Sequence, residues 1–169
     1  MSKKIVITGP ESTGKTTVAR QLALVYETQW VPEYAREYID RLDRPYQEAD
    51  LLEIAKGQLT REAEMARKTD KLFFCDTSLE VIKIWSEYRY GRCHPWILDQ
   101  LGHNRPDLYL LCVPDLPWEY DPQRENESDR EELYSLYKSE LAGQSLAKIW
   151  GQGPKRVEKA IEAVQMLLG

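Results

Sequence analysis

Eight residues, Gly9-Pro10-Glu11-Ser12-Thr13-Gly14-Lys15-Thr16, constrain this chain more than any other stretch. They fit G-x-x-x-x-G-K-[ST], a loop whose backbone N–H groups turn inward around phosphate oxygens. The motif demands a strand before it and a helix after it, and both can be read. Lys4-Ile5-Val6-Ile7-Thr8 is short, apolar and β-branched, and Val18, Leu22 and Val25 recur on one helical face. In this setting Gly9, Glu11, Ser12, Thr13, Gly14, Lys15, Thr16 and Thr17 become candidate nucleotide ligands. Lys15 would reach the β- and γ-phosphates, and the Thr16 hydroxyl would bind Mg²⁺. The helix N-terminus adds partial positive charge. The bland alternative is a glycine turn whose lysine is merely solvated.

The chain is 169 residues long with a net charge of −5, which predicts one domain over 1–169 and disfavours a polynucleotide partner. No apolar run approaches a membrane span, and the stretch after Met1-Ser2-Lys3-Lys4 is too short for a signal peptide. Cys75, Cys93 and Cys112 are odd in number and widely spaced, so they read as reduced thiols of a cytoplasmic protein.

Further strands are expected at Gln29–Val31, Lys71–Asp76, Leu108–Val113 and Lys148–Trp150, separated by helical patterns. Gln47–Lys68 is the longest of these helices, with Glu62 interrupting its apolar side. The alternation predicts an α/β fold, a central parallel sheet flanked by helices in three layers. Ligands then bind at the carboxyl ends of the strands, which selects the residues that follow them. Asp76 ends the third strand and could hold Mg²⁺, accept a proton, or simply cap the next helix. Glu33 and Arg36 follow the second strand, where a carboxylate could deprotonate a substrate hydroxyl and an arginine could offset phosphoryl charge. Tyr34 offers a flat face for a ring or ribose, and Trp85, Tyr88 and Tyr90 could line a nucleoside pocket or belong to the core. Arg124 and Arg130 lie in or beside a polar stretch, about 119–130, that suits a lid; paired surface arginines are the alternative. Gly151-Gln152-Gly153 could pass close to an adenine ring.

Several stretches together resemble the nicotinamide riboside kinase domain of bacterial NadR proteins. They are Gly9–Thr16, Glu33-Tyr34-Ala35-Arg36-Glu37-Tyr38, Phe74-Cys75-Asp76-Thr77, Tyr90–Pro95, and Pro117-Trp118-Glu119-Tyr120-Asp121 followed by Asp129-Arg130. The resemblance runs from Lys4 to about Leu141. It implies a thymidylate-kinase-like P-loop fold with a lid, and a kinase that phosphorylates the ribose 5′-hydroxyl of a nucleoside using ATP and Mg²⁺. It also implies that Lys15 and Thr16 are the phosphate and Mg²⁺ ligands, that Asp76 is the acidic residue closing the third strand, that Glu33 and Arg36 face the substrate, and that Arg124 and Arg130 belong to the lid. In that reading Lys15, Asp76, Arg124 and Arg130 are catalytic, and Asp76, ahead of Glu33, takes the hydroxyl proton; Asp76 at the metal beside Thr16, and Tyr34 at the substrate, follow from their own chemistry. Where the family carries an aromatic residue just before the E-Y-x-R block, this sequence has Pro32, with Trp30 two residues earlier.

Two rival functions stand beside this one. A nucleoside monophosphate kinase would need extra cations for the acceptor phosphate, and Arg89 and Arg92 could supply them. A P-loop ATPase or regulatory switch would need no acceptor. A GTPase is disfavoured because Asp76-Thr77-Ser78-Leu79 lacks the glycine of D-x-x-G.

Overall fold

Strand β1, Lys3–Thr8, occupies the middle of the sheet in the computed structural model, which describes residues 1–169. Its sides are taken by β3 (Leu72–Asp76) and β4 (Leu108–Cys112), and β2 (Trp30–Val31) and β5 (Leu146–Ile149) form the edges. Every pairing is parallel, and the order is β2-β3-β1-β4-β5. The chain therefore leaves β1 toward one edge and returns to build the other. The crossover loops diverge at the carboxyl end of β1, where open sheets place their ligands.

Alternation along the strands assigns the two faces. Ile5, Ile7, Phe74, Leu110 and Cys112 point to one side, where α1 (Lys15–Val25) and α7 (Pro154–Leu168) cover them with Val18, Ala19, Leu22, Ala160 and Val164. Val6, Phe73, Cys75, Tyr109 and Leu111 point to the other, toward Leu141 and α6 (Arg130–Glu140). Around that flank α2 (Tyr34–Asp40), α3 (Glu48–Lys68), α4 (Leu79–Tyr90) and α5 (Pro95–His103) share a core of Ala35, Leu51, Ile54, Ala55, Leu79, Ile82 and Ile97. No helix is long and apolar enough to cross a membrane.

One strand expectation shifts, and one helix end is set by a glycine. The last strand is Leu146–Ile149 rather than Lys148–Trp150, because Leu146 and Ala147 pair with Tyr109 and Leu110. Trp150 is left half-exposed, its ring under the Lys159 ammonium. Helix α4 runs on to Tyr90 and stops at Gly91, whose left-handed φ of 70° ends it.

The interruption at Glu62 has a physical cause. Its carboxylate is buried and pairs with the Lys4 ammonium, which also donates to Ser78 Oγ at 3.2 Å. The other Glu62 oxygen accepts from Gln58 Nε2 at 3.0 Å. Gln58 in turn donates to the Thr77 carbonyl at 3.3 Å and accepts the Tyr34 N–H at 3.1 Å. This buried chain of polar groups ties the end of β3 to the start of α2. Its members satisfy one another, so burial costs far less than for isolated groups.

The α2–α3 contact is close enough to dictate a glycine. A Cβ on Gly57 would lie 1.9 Å from Cε1 of Tyr34, whose ring also carries the Arg61 guanidinium at 4.6 Å. Gly57→Ala gains about 1 kcal/mol of helix propensity but meets an overpacking penalty of about 1–3 kcal/mol. We expect a net loss of stability, with α2 pushed off α3. A lowered melting temperature checks this; a variant more stable than the parent would show that the contact yields freely.

Candidate active site

The phosphate loop is built against the end of β4. Gly9 has φ 132°, and a Cβ there would meet the Cys112 carbonyl oxygen at 2.7 Å, so only glycine can pass. Thr13 is buried and its hydroxyl donates to the Pro10 carbonyl at 2.8 Å, closing the loop on itself. Lys15 Nζ donates to the carbonyls of Gly9 and Pro10 at 2.7 and 2.9 Å, which holds its charge at the mouth of the loop. All eight candidate nucleotide ligands, Gly9, Glu11, Ser12, Thr13, Gly14, Lys15, Thr16 and Thr17, line one cleft of about 820 Å³.

Asp76 enters this cleft from the end of β3. It is 3% exposed, and its Oδ2 accepts from Thr16 Oγ1 at 2.5 Å. Its Oδ1 has no hydrogen-bond partner. Burial pushes the Asp76 carboxyl above its ordinary value, against the Thr16 hydrogen bond and the charges of Lys15 and Arg36. The capping alternative falls, because the N-cap of α4 is Ser78. An unpartnered oxygen beside the Thr16 hydroxyl fits a hard divalent cation. No three His, Cys, Asp or Glu side chains gather anywhere to hold a metal by themselves. Phosphate oxygens and water would therefore complete the shell, as Mg²⁺ prefers. Thr77 follows with φ 65°, a left-handed turn on a β-branched residue, held by its N–H to Ile7 O at 2.9 Å and by Gln58.

Glu33 stands at the N-cap of α2 but makes no capping bond; its carboxylate lines the cleft with Asp76. Burial, and then the charge of Asp76, push Glu33 up to about 7, while Lys15 and Arg36 pull the other way. Arg36 also lines the cleft and pairs with Asp121 of the lid at 2.9 Å. Tyr34 does not line it. Its ring lies against Gly57 under Arg61, because the Tyr34 N–H is drawn to Gln58, so the residue anchors α2 instead of facing a ligand.

The lid segment rests on the phosphate loop. Glu11 accepts the N–H groups of Glu125 and Asn126, both at 3.1 Å, and Ser12 Oγ accepts the Glu119 N–H at 2.8 Å. Arg124 lines the cleft and donates to Ser12 Oγ at 3.3 Å and to Glu119 O at 2.6 Å. Arg130 is placed differently from the expectation. Its guanidinium donates to the carbonyls of Ser12 and Leu116 at 3.2 and 2.9 Å and lies outside the cleft lining, a strut at the start of α6.

Beyond Glu33 the cleft becomes aromatic. Tyr46 and Trp85 pack edge to face with centroids 4.8 Å apart, and Trp85 Nε1 donates to Tyr46 Oη at 3.0 Å. Pro32, Tyr88 and Arg89 also line the cleft, as does Trp30, which packs against the α1–α7 side of the sheet, whereas Tyr90 turns into the α3–α5 core. Tyr46 gave no signal in the sequence beyond its aromatic character next to Pro45. Arg92 lies outside the cleft, with its guanidinium forked onto Glu48 at 2.6 and 2.7 Å. The Gly151–Gly153 turn is also outside the lining; the Gly151 N–H donates to Asp115 at 2.7 Å.

The family model described as an AAA domain matches residues 4–150. The trifunctional NAD biosynthesis/regulator protein NadR of Escherichia coli is 29% identical over 142 residues, which cover 79% of this chain and 34% of NadR. The chain thus spans about a third of that relative's length. Crystal structures of NadR protein superpose with TM-score 0.83 in complex with NAD and AMP-PNP, and 0.84 in complex with NR. The identities are 23% and 22%, and the overlaps cover 98% and 99% of this chain and 49% and 51% of those chains. A deoxyadenosine kinase from M. mycoides superposes with TM-score 0.65 at 12% identity, covering 96% of this chain and 99% of the kinase. At these identities the superpositions establish the fold, a P-loop sheet of nucleoside-kinase type.

Asp76 yields a paired expectation. Its value is raised on folding, so the folded state holds the proton more tightly and stability falls as pH rises through that window. Asp76→Asn should therefore raise the melting temperature at pH 7 more than at pH 4, while weakening ATP binding in Mg²⁺ but not in EDTA. Equal ATP affinity with Mg²⁺ present would remove the metal role.

Proposed function

Since the chain belongs to the AAA-domain family of P-loop proteins, we propose that it is a cytoplasmic kinase that uses ATP and Mg²⁺ to phosphorylate the ribose 5′-hydroxyl of a nucleoside, with nicotinamide riboside the favoured acceptor. The carrying observation is the charge balance of the cleft beyond the phosphate loop. Three of its arginines already have carboxylate partners: Arg36 with Asp121 at 2.9 Å, Arg44 forked onto Asp50 at 2.8 and 2.9 Å, and Arg89 with Glu125 at 3.6 Å; the fourth, Arg124, is held over the phosphate loop by Ser12 Oγ and the Glu119 carbonyl. Glu33 and Asp76 face the same space with no cationic side chain bonded to them. An acceptor carrying its own phosphate would have to displace a carboxylate from Arg36, Arg44 or Arg89, since Arg124 is engaged at the phosphate loop, so this balance speaks against a monophosphate kinase. A neutral ribose bearing a cationic or neutral base suits it, with Tyr46, Trp85 and Tyr88 offering aromatic faces and edges. The NadR structures with AMP-PNP and with NR lend this reading support through their shared fold. A bare ATPase or switch would have no use for this second, aromatic half of the cleft.

The chemistry asks mainly for positioning and charge. The loop N–H groups and Lys15 hold the β- and γ-phosphates. Thr16 and Asp76 would hold Mg²⁺, which, when bound, offsets phosphate charge. With Asp76 engaged by Thr16 and given to the metal, the role of base passes from Asp76, favoured for it in the sequence, to Glu33. Its carboxylate takes the 5′-hydroxyl proton as the oxygen bonds to the γ-phosphorus, and the bridging oxygen departs with ADP. Arg124, brought over Ser12 by the lid, offsets charge on the transferred group, and the lid excludes water.

A panel of acceptors tests the class: ADP release from ATP–Mg²⁺ with nicotinamide riboside, uridine, cytidine, adenosine, thymidine and the corresponding monophosphates. We expect turnover with nucleosides, greatest with nicotinamide riboside, and little with monophosphates; preference for a monophosphate would refute the charge argument.

A pH profile tests the base. Glu33 acts only when ionised, so kcat/KM for the acceptor should climb as pH rises toward and through about 7. Glu33→Gln should lower kcat by about 10²–10⁴-fold and flatten that limb. A Gln variant keeping both the rate and the limb would return the proton to Asp76.

A further inference from the structure

Arg156 lies in the first turn of α7, 143 residues along the chain from Thr13, which it touches. Its side chain is 4% exposed, and all five guanidinium N–H donors are engaged. Nε and Nη2 donate to the Thr13 carbonyl at 3.0 and 2.7 Å, and Nη2 also to the Val113 carbonyl at 2.6 Å. Nη1 donates to Asp115 Oδ1 at 2.5 Å and to the Gly151 carbonyl at 3.0 Å. The second Asp115 oxygen accepts the Gly151 N–H at 2.7 Å. One buried cation thus joins the phosphate loop, the end of β4 and the turn before α7.

Fold stability gives little reason for a cation in this place. The N-terminus of a helix disfavours positive charge, and burying a guanidinium carries a desolvation cost that a nonpolar side chain would avoid. What the cation does is orient a peptide. In a trans peptide the carbonyl and the following N–H point in opposite directions, and no peptide here is cis. With the Thr13 carbonyl gripped twice from behind, the Gly14 N–H is turned to the opposite side. Leu116 and Arg156 lie 3.2 and 3.6 Å from where a Cβ on Gly14 would stand, so that side of the peptide is closely packed.

We propose that Arg156 is a positioning residue for polyphosphate binding, holding the Thr13–Gly14 peptide so that the Gly14 N–H faces the β- and γ-phosphates. The proposal rests on the nucleotide-binding reading given above. It requires that the penalty for disturbing Arg156 grow with the number of phosphates on the ligand, which a general loosening of the fold would not produce. Lysine keeps the charge but is a point donor that cannot serve four acceptors at once.

The test uses the full chain and calorimetric titration with AMP, ADP and ATP in Mg²⁺, on the parent, Arg156→Lys, Asp115→Asn and Lys15→Ala. Arg156→Lys should weaken ADP and ATP by about tenfold, the worth of one charge-assisted hydrogen bond, while AMP changes little. Asp115→Asn leaves the guanidinium in place but slackens its grip, and should give the same pattern at smaller size. It decides alone if melting curves show Arg156→Lys unfolded. ADP bound as tightly by the variants as by the parent, or AMP and ADP weakened equally, overturns the proposal. If the parent binds no nucleotide, as Lys15→Ala is expected not to, the kinase reading falls as well.

Discussion

A phosphate loop must turn a run of N–H groups toward one point, and here it does so while crossing the end of a neighbouring strand. Gly9 passes the Cys112 carbonyl so closely that a single methyl group would be obstructed. The parallel sheet fixes that crossing by setting β1 beside β4, and everything else in the site is referred to it. Thr16 reaches Asp76 because β3 flanks β1 on the other side, with Ile7 opposite Asp76 in register. The lid finds Glu11 and Ser12 because the loop holds them outward.

Two carboxylates in one cleft are an expense that the fold carries with no lysine or arginine hydrogen-bonded to either, only the charges of Lys15 and Arg36 nearby. Asp76 has a hydroxyl on one oxygen and nothing on the other, and Glu33 declines the cap that its position on α2 would allow. By contrast, Asp50 in the same region is held well below the usual carboxylate range by Arg44, the Gln47 N–H and Tyr38. The difference between a carboxylate held by an arginine fork and two left without a cationic partner, on adjoining elements, is what separates scaffold from chemistry here.

What could be read from the chain alone was what depends on short spacing. The phosphate loop, the buried strands and Asp76 at a strand end are local patterns, and they stand where periodicity puts them. Side-chain direction was legible only in part. Tyr34 sits within the same block as Glu33 and Arg36, yet its ring is claimed by Gly57 and Arg61 on another helix. Glu62 broke an apolar stripe because its partner, Lys4, lies 58 residues away. Arg130 belonged to a recognisable block, but which carbonyls it would bond depended on how the lid folds back. Arg156 carried no signal, since its five donors close on backbone carbonyls and one carboxylate far off in sequence. The last strand was begun two residues too late, because its register is fixed by pairing with β4, where Leu146 and Ala147 lie opposite Tyr109 and Leu110.

Thr77 shows how such a site limits the ways the chain can improve. A β-branched residue in the left-handed region costs about 1–2 kcal/mol that a glycine would not. Selection for a hardier fold alone would favour glycine at this position. The stiffness of the threonine, however, fixes the exit of β3 within one residue of Asp76, where its carbonyl meets Gln58 and its N–H meets Ile7. Gains in robustness at this turn would be drawn from the same reserve of rigidity that aims the carboxylate, so the two properties cannot be improved independently there.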